Sequence, residues 1–255
     1  RSLMEDFRPV CWGISTDRSK LYLCANHAVL DGVDAVQLLH EAASVWDPLP
    51  PEKRPNERRV VYTSVDLLVA FFVCIPQLLR MLTQTKSLAV DMEKPVVFRT
   101  KIPADGDVST AVAKTVCDAL PSTPLLNCVQ LVSGPRRPDV HNSIGFVPFW
   151  VTNNSQVQFG HKAFAALTCA VMYYCTMRSV YKERVDVVFS GIPLSSHGFS
   201  CIKDIDFARC QQSAPVYVFC VKNGRDVYVT ISTQCTAAAN SLEKKFKRSE
   251  LTFWH

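Results

Sequence analysis

The chain has 255 residues, of which 48% are hydrophobic and 20% are charged. This composition is that of a globular protein and excludes a disordered, collagen-like or coiled-coil chain, and the length suits one large domain or two small ones. The net charge of +5 is a mild excess. The basic stretches Lys53–Arg59 and Lys244–Arg248 carry no recognition-module signature, so they predict solvated surfaces and no nucleic-acid partner.

The eleven cysteines are an odd number at scattered positions, and they form no Cys-x-x-Cys pair. This spacing argues against a zinc knuckle or ribbon, and no metal site is expected. Several cysteines stand inside apolar runs, where a reduced cysteine behaves as a small hydrophobic residue. We therefore expect an intracellular, reducing compartment, with a membrane-associated and a mitochondrial location both left open.

Residues 1–46 are expected to form a hairpin and a helix. Val10–Ser15 and Lys20–Ala25 are predicted as strands around a Thr-Asp-Arg-Ser turn. After a polar interruption, apolar residues recur at helical spacing from Val33 to Trp46, with Asp31 or Gly32 as the cap.

Residues 47–95 are expected to form a proline-rich linker and an apolar helix. Four prolines between Asp47 and Asn56 exclude a helix or a central strand there. Val65–Leu82 is almost wholly apolar but contains Pro76 and Gln77. Three placements stay open for it: a buried core helix, a helix at a membrane interface, and a membrane span.

Residues 96–255 are expected to form a second, larger region of mixed strands and helices. Ser190–Pro193 is predicted as a turn, and Asn223-Gly224 as the tip of a hairpin. The mixture favours an α/β sandwich with a mixed sheet. The predicted strands are Val96–Ile102, Leu125–Val132, Ile144–Val151, Val185–Phe189, Val216–Lys222 and Asp226–Ser232, and the predicted helices are Val108–Leu120, Lys162–Tyr181 and Ala237–Leu251.

One segment suggests chemistry: His27 at the end of a predicted strand, Asp31 four residues later, and then Gly32. A histidine with a pKa near 6.5 can accept a proton at neutral pH and serve as a general base. A buried carboxylate such as Asp31 is suited to fixing the loop, and glycine permits a tight or positive-φ turn. On the residues alone, the alternative is that Asp31 only caps a helix and His27 only packs.

The string from His27 to Leu39, His-Ala-Val-Leu-Asp-Gly-Val-Asp-Ala-Val-Gln-Leu-Leu, resembles the active-site segment of the chloramphenicol-acetyltransferase-like superfamily. Within it, the wax ester synthase/diacylglycerol acyltransferases are the most similar group. Their order of features is also similar: a Leu-Leu helix, an Asp-Pro-Leu-Pro-Pro linker, an apolar helix, an Asn-containing strand like Asn142–Val151 and a Ser-Asn-Val-Pro-like turn at Ser190.

The resemblance implies a mixed β-sheet with packed helices, mostly the C-terminal half of a two-subdomain fold. It implies that His27 deprotonates a hydroxyl acceptor, a lipid alcohol or diacylglycerol, which attacks an acyl-CoA co-substrate without a bound cofactor. Asp31 would organise the loop. Ser190 would donate to the thioester oxygen, and Asn26 and Asn142 would line the site.

Several differences between this sequence and the family pattern favour a second hypothesis. In it, the chain is a degenerate relative that serves as an assembly subunit. Asn26 stands where the family often has a first histidine, and Gly191 stands where it has an asparagine. The family also carries a first subdomain, on the order of 100 residues, before the motif. The resemblance therefore implies another chain or segment that completes the fold, and a membrane surface is a further expected partner.

Overall fold

A computed structural model describes residues 10–17, 19–25, 30–104, 107–121, 126–135, 144–151, 157–161, 163–174, 184–205 and 214–248. In chain order, the described elements are β1 (Val10–Ile14), β2 (Leu21–Ala25), α1 (Gly32–Trp46), a 3-10 turn (Pro55–Arg58), α2 (Ser64–Thr83), β3 (Val96–Pro103), α3 (Val108–Cys117), β4 (Leu126–Ser133), β5 (Ile144–Val151), β6 (Val157–Phe159), α4 (Ala163–Tyr174), β7 (Val187–Ser195), β8 (Val216–Asn223), β9 (Asp226–Thr233), α5 (Thr236–Glu243) and β10 (Lys247–Arg248).

Eight strands form one mixed sheet in the order β10-β3-β9-β8-β7-β4-β5-β6, and β1 pairs with β2 in a separate hairpin. β7 lies near the middle and runs parallel to both β4 and β8, whereas the other described pairs are antiparallel. The predicted α/β class with a mixed sheet and packed helices is therefore confirmed.

Both faces of the sheet are covered, as the alternation of side chains along β7 makes clear. Val187 and Phe189 belong to a core that contains residues of α3 and α5. Val188, on the opposite face, belongs to a cluster that contains residues of α4 and α2. Further along that second face, Leu194 packs with Val36 of α1, so α1 covers the carboxyl end of β7.

The sequence left open whether α2 is a buried core helix, and the structure excludes that placement. Ala70 and Cys74 are fully buried against the α4 side, but Leu68 and Phe72 are 62% and 70% exposed. The other large apolar residues exposed along it are Val65, Leu67, Val69, Phe71, Val73, Ile75 and Leu79. Among the described residues, no helix combines the length and the apolar character that crossing a bilayer would require.

Two further predictions about elements are wrong. Ser190–Pro193 is not a turn, because these residues pair with Phe219–Lys222 of β8 and carry β7 on to Ser195. The proline is accommodated because the register shifts between Pro193 and Ser195. The last helix also ends at Glu243 instead of continuing to residue 251, since the chain turns there to pair β10 with the edge of β3.

Candidate functional site

The structure describes the two elements that flank the predicted catalytic segment. β2 ends at Ala25 and the description resumes at Leu30, so His27 and Asn26 lie outside the described residues. Asn142 also lies outside them. Asp31, Gly32 and Ser190 are described, and the geometry around the segment can be built from them.

Asp31 caps helix α1 and forms a buried ion pair. One carboxylate oxygen, Oδ1, accepts from the backbone N–H groups of Val33 and Asp34 at 2.9 and 3.0 Å, which satisfies donors that a helix start leaves unpaired. The side chain is 1% exposed. A buried carboxylate must be paired to remain charged, and the pairing group is Arg59.

Arg59 follows the 3-10 turn and reaches Asp31 with both terminal nitrogens, Nη1 to Oδ2 at 2.7 Å and Nη2 to Oδ1 at 3.0 Å. Nη2 also lies 3.2 Å from Oδ1 of Asp34. Burial works against the charged guanidinium, but the two carboxylates prevail and raise the pKa of Arg59. Bidentate pairing fixes orientation as well as distance. The start of α1 is therefore tied to the linker that follows it.

Sequence reasoning missed Arg59, which it treated as part of a solvated basic stretch. The residue stands 28 positions after Asp31, and nothing in its own neighbourhood indicates a buried partner. The only available signal was the need of Asp31, once buried, for a cation.

Gly32 is the first residue of α1, and its φ is not positive, so the positive-φ alternative is excluded for the tight or positive-φ turn that the sequence left open. A Cβ added to Gly32 would lie 2.9 Å from Cδ1 of Ile192, the tip of a flexible side chain that could rotate away. The motif end of α1 therefore lies against Ile192 of β7.

Ser190 lies in β7, where it pairs with Leu131 of β4 and Phe219 of β8, and it is half-buried. Residues two apart in a strand share a face and are separated by about 6.6 Å. Ser190 is therefore on the same face as Ile192, the residue that contacts Gly32. β7 therefore carries Ser190 two positions before the residue that lies against Gly32.

The opposite face of β7 borders a small apolar cavity of about 40 Å³ at Gly191. It lies between α3 and the sheet, and Val112, Phe149 and Cys220 are among its lining residues. Burial raises the pKa of the Cys220 thiol to about 12, so this cysteine stays protonated and is an inert part of the wall. The space holds a few atoms, not a pantetheine arm.

A second polar cluster, also missed from the sequence, joins the linker to the end of β7. Glu52 accepts from Ser195 Oγ at 2.5 Å and from the backbone N–H of Ser196 at 2.8 Å, and Arg58 Nη2 donates to it at 3.1 Å. Nε2 of His40 lies 3.8 Å from the same carboxylate. Burial lowers the pKa of His40, which favours its neutral form.

Burial by itself would raise the pKa of Glu52. Hydrogen bonds from Ser195 and Ser196 and the charge of Arg58 prevail and lower it to about 2. The cluster therefore holds a charged carboxylate at neutral pH. In the part of the chain that the structure describes, no group of three or more His, Cys, Asp or Glu side chains is arranged to hold a metal ion.

Comparison with known proteins finds similar solved structures, while no protein-family model and no curated protein matches the chain. The EpoB NRPS cyclization-docking bidomain from Sorangium cellulosum aligns with a TM-score of 0.49 at 9% identity, over 88% of this chain and 58% of its own. The epimerization domain from the third module of tyrocidine synthetase B aligns at 0.46 and 11% identity, over 92% of this chain and 70% of its own.

The crystal structure of holo T3CT aligns with a TM-score of 0.39 at 16% identity, over 92% of this chain and 65% of its own. This chain therefore spans less than two thirds of the holo T3CT chain and of the Sorangium bidomain. At these scores and identities, the matches assign neither a family nor an activity to it.

Proposed function

We propose that this chain is an acyltransferase that moves an acyl group from acyl-CoA to the hydroxyl of a lipid alcohol or diacylglycerol, with His27 as the general base. The observation that carries the proposal is the anchoring of Asp31 and Gly32, the described end of the His27–Gly32 motif. Arg59 and the cap hold Asp31, and Gly32 is pressed against β7. A short segment fixed at its end is the arrangement that a positioned base requires.

In the proposed reaction, His27 takes the proton of the acceptor hydroxyl, and the oxygen attacks the thioester carbonyl carbon. The carbon–sulfur bond then breaks, and the CoA thiolate leaves with the proton from His27. Asp31 keeps the loop in place and does not react. Ser190, on the face of β7 that meets the motif, would donate a hydrogen bond to the developing oxyanion. Asn26 and Asn142 would line the site.

The test is acyl transfer by the purified chain in its native assembly, with radiolabelled long-chain acyl-CoA and a mixed pool of alcohols. We expect His27→Ala to abolish ester formation while its circular dichroism and thermal midpoint remain those of the wild type. His161→Ala, at an exposed position before α4, is the matched control and should retain activity. Ester formation that is equal in wild type and His27→Ala would contradict the proposal.

A second candidate function is that of a catalytically inactive assembly subunit, and the exposed face of α2 favours it. This face has no charged side chain between Asp66 and Arg80. Helices that lie on lipid surfaces are rich in Lys and Arg, whereas obligate protein interfaces resemble an apolar core. We infer that the occupant of this face is a polypeptide.

A photo-crosslinking residue at Phe72, with one at the exposed Glu243 of α5 as control, tests this second candidate in the native assembly. We expect a peptide adduct from Phe72, identified by mass spectrometry, and none from Glu243. An adduct with lipid alone would contradict a protein partner. A peptide of this same chain would identify the partner as a second copy.

A further inference from the structure

We propose that a basic pocket beside the β8–β9 hairpin binds the phosphate groups of the acyl donor, and this inference rests on the proposed function. The pocket has a volume of about 430 Å³. Among the groups that line it are Lys101, His197, Lys203, Arg225, Asp226 and Tyr228. It lies apart from the small apolar cavity at Gly191 and shares no lining residue with it.

The charges in this pocket do not balance. Three of its side chains, Lys101, Lys203 and Arg225, are basic, and Asp226 is the one carboxylate among the described residues that line it. Asp226 is already paired with Lys101, at 2.8 Å. Within the part of the chain that the structure describes, Lys203 and Arg225 form no salt bridge.

Neighbouring carboxylates are held by other donors. Asp204 pairs with Arg99 at 3.3 Å, and Asp47 accepts hydrogen bonds from the backbone N–H and the hydroxyl of Ser200. Among the described residues, the pocket thus presents two cations without a salt-bridge partner in a concave, polar surface, which is the charge pattern that a phosphate group requires.

Two glycines shape the floor of this pocket. Gly198 and Gly224 have φ values of 86° and 64°, and a Cβ on either one would lie within 3.0 Å of the other's Cα. Asn223 locks the two loops together by accepting from the backbone N–H of Phe199 at 2.8 Å and donating to its carbonyl at 3.1 Å. The backbone that carries the cations is therefore held in place before any ligand arrives.

The pocket adjoins the helix that begins at the motif. Phe199 lines the pocket, and its ring centroid lies 5.1 Å from that of His40 on α1. His40 is eight residues, or about 12 Å, from Gly32 along the helix. The pocket and the motif are therefore linked through α1.

Binding of CoA, pantetheine and inorganic pyrophosphate to the full chain, measured by calorimetry without acceptor, tests this site. We expect Lys203→Ala/Arg225→Ala to weaken CoA binding by about tenfold or more and to abolish pyrophosphate binding, because each lost charged contact costs a measurable fraction of the affinity. Pantetheine, which has no phosphate, should bind both proteins equally. Lys114→Ala/Lys244→Ala, two exposed lysines outside the pocket, is the charge-matched control.

If CoA binds the double variant as tightly as the wild type, the pocket is not the phosphate site. The proposed acyltransferase function is not contradicted by that result. Pyrophosphate that binds through Lys203 and Arg225, together with no binding of CoA, supports an anion site and overturns the acyl-CoA function instead. A wild-type chain that binds neither CoA nor pyrophosphate overturns the pocket as well.

Discussion

Four hydrogen bonds converge on the carboxylate of Asp31, two from backbone N–H groups of α1 and two from Arg59. A buried ion pair contributes little net stability when it is complete, because both ions have lost their hydration. Removing one partner is different, since it leaves the other charge buried and uncompensated. The stability of the motif loop should therefore depend strongly on a residue that the motif does not include.

We predict that Arg59→Met destabilises the chain by about 3–5 kcal/mol, because it leaves the buried carboxylates of Asp31 and Asp34 without their cation. Arg99→Met is the control, since its partner Asp204 is 61% exposed and such surface pairs are worth about 1 kcal/mol or less. Urea unfolding at neutral pH measures both. Equal losses of unfolding free energy in the two variants would contradict the prediction, because the buried pair would then matter no more than the surface pair.

The second prediction concerns pH and Glu52, whose pKa in the folded chain is about 2 against an ordinary value of 4.5. At pH values between these two, the unfolded chain binds the proton more readily than the folded chain does. The stabilisation by Glu52 is thus complete above pH 4.5 and is lost as the pH falls toward 2.

Unfolding free energies of wild type and Glu52→Gln, measured from pH 7 to pH 2.5, check this. The difference between the two proteins should shrink steadily below pH 4.5. A constant difference across the range for Glu52→Gln would contradict the assignment.

Sequence reasoning at this scale succeeded where the signal was local and failed where it was distant. Asp31 as a helix cap could be predicted from its place before an apolar, helically spaced run. The linker carboxylate Glu52 could not be tied to Ser195, 143 positions away, because no local pattern marks that pairing. His27 stays a prediction, since it lies outside the described residues.

At the scale of elements, helix α4 sits on the sheet at Gly145 of β5, so closely that a side chain there would collide with the helix. A Cβ on Gly145 would lie 2.6 Å from the backbone oxygen of Ala165 and would also overlap Sγ of Cys169. Thr168 reinforces the contact, as its hydroxyl accepts from the Phe146 N–H at 2.8 Å. Backbone atoms cannot move aside as the tip of a flexible side chain can.

We therefore predict that Gly145→Ala destabilises the chain by about 1–3 kcal/mol or more through overpacking. Gly191→Ala is a matched control on the neighbouring part of the sheet, because its Cβ would meet only Cys220 Cβ at an ordinary 3.9 Å. Thermal unfolding of the two variants distinguishes them. A Gly145→Ala variant as stable as Gly191→Ala would show that α4 can shift away from β5.

Most elements were predictable because their periodicity is strong, and the main failure was the turn assigned to Ser190–Pro193. Glycine and proline are good local signals for turns. In this chain, hydrogen bonding to β8 on one side and β4 on the other overrides that signal and keeps Ser190 in the strand. Tertiary pairing of this kind is invisible in a local window.

At the scale of the whole molecule, the class of fold was predictable but the order of strands was not. Alternating helices and hairpins indicate a mixed sheet. Nothing local indicates that β3 joins the sheet beside β9, or that β7 lies between β4 and β8. The apolar run of α2 was equally ambiguous, because its composition is the same whether it faces a core or a partner.

The central position of β7 also affects the order in which the chain can fold during synthesis. α1 packs on Leu194 and Val221, which a ribosome makes about 150 and about 175 residues after α1 itself, a delay on the order of 10 s. During that interval the sheet that α1 and α2 cover is incomplete, and long-range parallel pairing forms slowly once it begins. The nascent chain therefore presents the long apolar helix α2 to the cell early, and it should depend on chaperones that shield such segments until the last third has emerged.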